Sequence, residues 1–148
     1  MADCGEIGPD PTSEHFAERY KTLAFVYHQG GEWYQIDQDY VVQPAENNDF
    51  SGGYKRFYRQ MPKSYLESPL VRKALDLKKD HFNIPENELI ITQVMRCHFK
   101  PDDTTDGVSK CITGQGVHTD GSDAAMIMVL ERNNVKGAAN FFSYDIEA

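Results

Sequence analysis

Two periods of apolar residues run through this chain, a helical one in its first and middle parts and an alternating one toward its end. Behind Ser13, a residue suited to capping a helix, Phe16, Tyr20, Leu23 and Tyr27 recur at helical spacing. They predict a helix from Glu14 to about Tyr27, ended by Gly30-Gly31 and covering a sheet. From Glu32 to Gln43 the residues Trp33, Tyr34, Ile36, Tyr40, Val41 and Val42 have strand composition, and Pro44 stops the run. After a polar loop over 45–53, Tyr54 to Met61 reads as extended. Ser68-Pro69 opens a second helix, with Leu70, Ala74 and Leu77 as its apolar stripe through about Phe82, and Asn83-Ile84-Pro85 closes it.

The last third changes character. Glu88 to Phe99, Gly114 to Asp120, Ala124 to Glu131 and Ala138 to Ile146 are strand-like and separated by Gly, Asp or Asn turns, with Met126 and Met128 on one strand face as core filler. Between the first two lies Pro101-Asp102-Asp103-Thr104-Thr105-Asp106-Gly107, a polar loop long enough to form a lip over a site. The expected class is α+β and β-rich. Residues 1–13, with Gly5, Gly8, Pro9 and Pro11, read as a flexible leader, and 14–148 as a single domain.

Composition narrows the partners. With 15 Lys and Arg against 23 Asp and Glu, the formal charge of -8 makes the surface repel phosphate backbones and anionic headgroups, so neither nucleic acid nor membrane is expected. The densest basic stretch, Tyr54-Lys55-Arg56-Phe57-Tyr58-Arg59, is read as a strand with alternating faces rather than an RNA-binding run. Cys4, Cys97 and Cys111 form no C-x-x-C pair, and Met1-Ala2-Asp3-Cys4 does not resemble a secretory leader. No apolar run reaches the ~20 residues of a membrane helix, so a cytoplasmic protein with ordinary thiols is expected.

His118-Thr119-Asp120 is the tripeptide that carries chemistry. Residues i and i+2 of a strand project to one face, so an imidazole and a carboxylate can hold one metal from one side. These are donors suited to ferrous iron, in an arrangement that adds one further His and leaves three adjacent positions open. The competing reading is a surface His bonded to a loop Asp, which stabilises little. Context favours the metal, because Gly114-Gln115-Gly116-Val117 leads in, Gly121 follows, and the apolar run Ala124 to Leu130 comes next. His98 is not expected to serve as the third ligand, and Cys97 with Cys111 matches no common zinc spacing. No G-x-S-x-G, P-loop or Rossmann glycine pattern occurs.

The stretch from Gly116 through Gly137 resembles the Fe(II)/2-oxoglutarate-dependent dioxygenases, in the branch that hydroxylates free L-isoleucine and related aliphatic amino acids. Tyr54-Lys55-Arg56-Phe57-Tyr58 looks like that branch's basic-aromatic strand, Ser68-Pro69-Leu70-Val71 like its helix start, and Leu89 to Phe99 like the strand before the metal strand. The resemblance implies an incomplete double-stranded β-helix, or jelly roll, with flanking N-terminal helices. It implies iron ligation by His118 and Asp120, 2-oxoglutarate as cosubstrate and a free amino acid as substrate. Arg96 or Gln93 is expected to reach substrate or cosubstrate, and a one-residue register change decides which of them faces inward.

The sequence departs from the family pattern in places. Ala138 stands where a second glycine is common, and Thr119 where a basic residue is common. After Asp120 there is no His, and neither Arg132 nor Lys136 matches the family's 2-oxoglutarate anchor, so the expectation is a C-terminally truncated member. The alternatives are a catalytically incomplete relative, with unpaired sheet edges that favour a homodimer, and a small-molecule binding module without iron.

Overall fold

Five successive residues, Thr22-Leu23-Ala24-Phe25-Val26, are buried on a segment whose side chains alternate between two faces, so both faces of it are covered. The protein is described here by a computed structural model, which covers residues 6–12, 18–47, 52–98, 104–105, 108–109 and 121–135. The buried segment belongs to strand β2, Glu18–Gln29, which follows β1, Gly8–Pro9. The helix expected over Glu14 to Tyr27 is therefore replaced, through its described part, by the central strand of the sheet. A strand buried on both faces reads as a continuous apolar run, and such a run contains helical spacings by default. Thr22, Phe25, Val26 and Tyr27 supply the β-branched and aromatic content that favours the extended form.

Gly30 and Gly31 do end the element, but as a hairpin turn. Gln29 pairs with Glu32, leaving a two-residue loop, and both glycines have positive φ, 59° and 86°. That is the conformation of a type I′ turn, whose twist matches the flanking strands. It leads into β3, Glu32–Ile36. Beyond it come β4, Tyr40–Val41, and, after a 3₁₀ turn at Ala45–Asn47, β5, Arg56–Phe57, and β6, Arg59–Gln60. A 3₁₀ helix at Lys63–Glu67 precedes α1, Pro69–Phe82, and β7, Ile90–His98, follows.

Tyr20 pairs with both Pro9 and Arg96, Thr22 with both Arg59 and Val94, and Phe25 with both Ile36 and Ile91. Strand β7 therefore runs antiparallel along one edge of β2, while β1, β6 and β3 follow one another along the other. Gly8–Pro9 falls inside the segment expected to be a leader, yet it is hydrogen-bonded to β2. β4 and β5 form a separate antiparallel pair, as do β8, Thr104–Thr105, and β9, Val108–Ser109, within and just beyond the expected lip.

Helix α1 starts and stops where its sequence signals stand. Ser68 is the N-cap, Pro69 needs no N–H partner in the first turn, and Asn83 adopts the left-handed conformation at the C-cap. Its buried face differs from the expected stripe. Val71 and Leu75 point inward, whereas Leu70 and Leu77 are 50% and 53% exposed. The sheet selects the helix face, because Val71 and Leu75 meet Ala24, Val26, Trp33, Met61, Leu66, Ile90 and Val94 in one core cluster.

A second, smaller cluster of Leu23, Phe25 and Tyr58, flanked by Ile36 and Val41, lies on the face of the sheet away from α1. Trp33 also ties β3 to the helix, donating its Nε1–H to Asp76 Oδ1 at 2.8 Å. Trp33→Phe removes that bond and part of a buried ring, and is expected to lower unfolding free energy by about 1–3 kcal/mol, read from chemical denaturation midpoints.

The strand expected over Ala124 to Glu131 is not formed. Residues 124–132 lie in no helix or strand, and Met126 and Met128 are exposed rather than core. A strand exists only through its ladder, and among the described residues none pairs with this run. The segments expected as strands over Gly114 to Asp120 and Ala138 to Ile146 lie outside the described residues.

Candidate iron and cosubstrate site

The two expected iron ligands, His118 and Asp120, lie outside the described residues. The two expected cosubstrate contacts, Gln93 and Arg96, lie on β7, and the register separates them. Ile90 and Val94 are buried against α1, so Thr92, Arg96 and His98 share that near face by strand alternation. Ile91, Gln93, Met95 and Cys97 take the far face.

Arg96 and His98 each have a local partner. The Arg96 guanidinium lies over the Tyr20 ring at 4.6 Å, and His98 Nδ1 is 3.2 Å from Glu18 Oε2 at the exposed end of the ladder. Gln93 is opposite Leu23, which belongs to the far-face cluster.

The far face carries more charge than its apolar cluster suggests. Lys21 Nζ stands 5.2 Å from the Tyr58 ring, and Arg56, 8% exposed, donates to Gln43 Oε1. Arg56 and Tyr58 are buried while Phe57 and Arg59 are exposed, which is the alternation expected of the basic-aromatic stretch. Asp10, 2% exposed, accepts from Arg19 Nε at 2.8 Å and from the Thr12 backbone N–H and hydroxyl at 2.9 and 2.6 Å. Burial pushes the Asp10 carboxyl up, but the Thr12 hydrogen bonds with the Arg19 and Lys21 charges outweigh it and hold it below the usual value.

Tyr58 shows the opposite balance. Burial, with help from Asp10, raises its phenol above the ordinary range against the pull of Arg56 and Arg19. Burial likewise raises the free Cys97 thiol by more than Arg19 and Lys21 lower it, which disfavours thiolate chemistry there.

Asp10, Arg19, Lys21 and Tyr58 were not singled out by sequence reasoning. The Asp10 and Arg19 pair joins the residue just after β1 to one on β2 without a motif, and only the alternation of residues 54–59 hinted at the inward Arg56 and Tyr58.

Among the described residues no three His, Cys, Asp or Glu side chains come together as a metal site. An imidazole and a carboxylate, the groups carried by His118 and Asp120 outside those residues, are donors of the kind that suit ferrous iron. Comparison with known families shows more: the model of the 2OG-Fe dioxygenase family matches residues 4–145 of 148. The chain belongs to the 2OG-Fe dioxygenase family. This family uses Fe(II) and 2-oxoglutarate and acts on small-molecule substrates. Comparison with curated proteins gave no match, and comparison with solved structures gave none.

The described architecture of this 2OG-Fe dioxygenase is β-rich, with antiparallel pairing dominant and one α-helix among the described residues. Among those residues no helix is long and apolar enough to cross a membrane.

Proposed function

We propose that this 2OG-Fe dioxygenase hydroxylates an aliphatic carbon of a small substrate such as a free amino acid, in the cytoplasm, on a jelly-roll scaffold. The observation that carries the reading is the family match over residues 4–145. The amino-acid substrate rests on the resemblance of Gly116 to Gly137 to that branch. His118 and Asp120 would hold the iron. Iron and 2-oxoglutarate together supply the oxidation, in which dioxygen delivers one oxygen atom to the substrate C–H and the other to succinate, with release of carbon dioxide.

The remaining work belongs to the chain itself. In a jelly roll with helices outside, the face away from α1 is the inner one, and Gln93 lies on it among Leu23, Lys21 and Met95. We assign Gln93, rather than Arg96, as the side chain that hydrogen-bonds substrate or cosubstrate. Its amide both donates and accepts, so it can orient a carboxylate or an amine. Leu23, Phe25 and Tyr58 beside it exclude water from the reacting carbon.

Ferrous iron titration under anaerobic conditions, followed by measurement of succinate formed with a panel of free amino acids, tests the function. One iron per chain and amino-acid-stimulated succinate are expected. Absence of both overturns the reading.

The contact is tested by two substitutions. A lost hydrogen bond to a charged group is worth about 1.5–3 kcal/mol, so Gln93→Ala is expected to raise the apparent KM for 2-oxoglutarate or amino acid roughly 10- to 100-fold. Arg96→Ala is expected to change it by less than about 2-fold, since an exposed residue away from such features has small effects. The reverse pattern would move the contact to the other face.

A further inference from the structure

On the face of the sheet away from α1, the strand register lines residues up in cross-strand rungs, because residues directly opposite each other share a face. Ile91 lies opposite Phe25, and Phe25 lies opposite Ile36 on its other side, so this rung is apolar throughout. Gln93 lies opposite Leu23, which meets Gln60 on its other side, so the next rung has an apolar centre and an amide at each end. Met95 lies opposite Lys21, whose neighbour on the other side is Gly8, so the third rung carries an ammonium as its one charge. Along β7 the face therefore passes from apolar through amide to cationic. Alternate strand positions are about 6.5–7 Å apart, which places Ile91 and Met95 at that distance on either side of Gln93.

We propose that Ile91 sets the length of aliphatic side chain that this dioxygenase accepts. The substrate lies along β7 with its carboxylate toward Lys21, its polar head within reach of Gln93 and its alkyl end against Ile91 and Phe25. This rests on the reading of a free amino acid as substrate and of the face away from α1 as the inner one.

The order of the rungs decides the orientation. Reversed, a carboxylate would meet two apolar side chains and lose its hydration without compensation, while the alkyl end would displace water from the Lys21 ammonium. Met95 is apolar too, but its cross-strand neighbour is that ammonium, and its unbranched thioether adapts to what it touches. Ile91 has only apolar neighbours on its rung, and a β-branched side chain with a stiff χ1 makes a firm stop. Phe25, 3% exposed and packed with Leu23 and Tyr58, holds the apolar end in place, and Lys21 Nζ lies 5.2 Å from the Tyr58 ring at the other.

Calorimetry of the full chain with ferrous iron and 2-oxoglutarate, in the absence of oxygen, reads binding of straight-chain 2-amino acids from alanine to 2-aminooctanoate. Each added methylene should tighten binding roughly 3- to 4-fold until the side chain meets Ile91, where the gain should stop. Ile91→Ala should move that limit to a longer member of the series and Ile91→Phe to a shorter one, while Met95→Ala should leave it in place. The two Ile91 variants act in opposite directions, so either one that keeps the wild-type circular dichroism spectrum is decisive. A limit unmoved by the Ile91 substitutions, or moved by Met95→Ala instead, would overturn the proposal and leave the amino-acid substrate standing. Failure of every member to bind would remove that substrate and the proposal with it.

Discussion

Replacing His118 by Ala is expected to bring 2-oxoglutarate-dependent succinate formation to background and to weaken ferrous iron binding by more than about 100-fold. The magnitude follows from comparison with outer-shell partners, whose loss alone costs 10- to 100-fold in metal affinity. A direct ligand should cost more. Asp120→Ala should behave in the same way, because a site with few protein donors has no spare one. Thr119→Ala supplies the control. On an extended segment its side chain projects to the opposite face from both neighbours, so iron binding should be retained within about 2-fold. Anaerobic titration with ferrous iron reads all three variants. Unchanged affinity in His118→Ala would remove this residue from the site.

The second large effect concerns stability. Arg19→Met leaves the Asp10 carboxylate buried without the guanidinium that lies 2.8 Å from it, and breaking one side of a buried ion pair costs about 3–5 kcal/mol. The effect should depend on pH with a definite sign. Asp10 is held below its ordinary value in the folded chain, so its contribution is fully present above the unfolded carboxyl pKa of about 3.9 and is lost as pH falls through the lower folded value. The gap between wild type and Arg19→Met should therefore be widest near neutrality and narrow below about pH 4. Urea denaturation at several pH values gives the test. A gap that does not change with pH would mean that packing of the Arg19 stem, not its charge, is what matters.

The parts of the fold that could be read in advance are those with local punctuation. Ser68-Pro69 and Asn83 bracket α1 because capping and proline geometry act within a few residues. Ile90 to His98 forms a strand within the expected Glu88 to Phe99. What escaped depends on contacts distant in sequence. β2 was hidden because burial from both sides erases the alternation that usually marks a strand. The buried face of α1 was hidden because Leu70 and Leu77 are as apolar as Val71 and Leu75, and only the sheet chooses between them.

The site divides in the same way. His118 and Asp120 stand two residues apart and form a recognisable pattern, whereas which face of the sheet Gln93 and Arg96 each take required the ladder with β2. Asp10 and Arg19 carry no pattern at all. Their pairing is made by the antiparallel approach of β1 to β2.

The placement of β2 has a consequence for synthesis on the ribosome. Its hairpin partner β3 follows at once, but the strand along its other edge, opposite Glu18 to Val26, ends at His98, eighty positions after Glu18. At about 5–20 residues per second, the stretch between β3 and the end of β7 takes roughly 3–12 s to translate. For that interval the nascent chain holds the strand it will bury on both faces only half-partnered, which makes this protein a natural client for chaperones that shelter emerging strands.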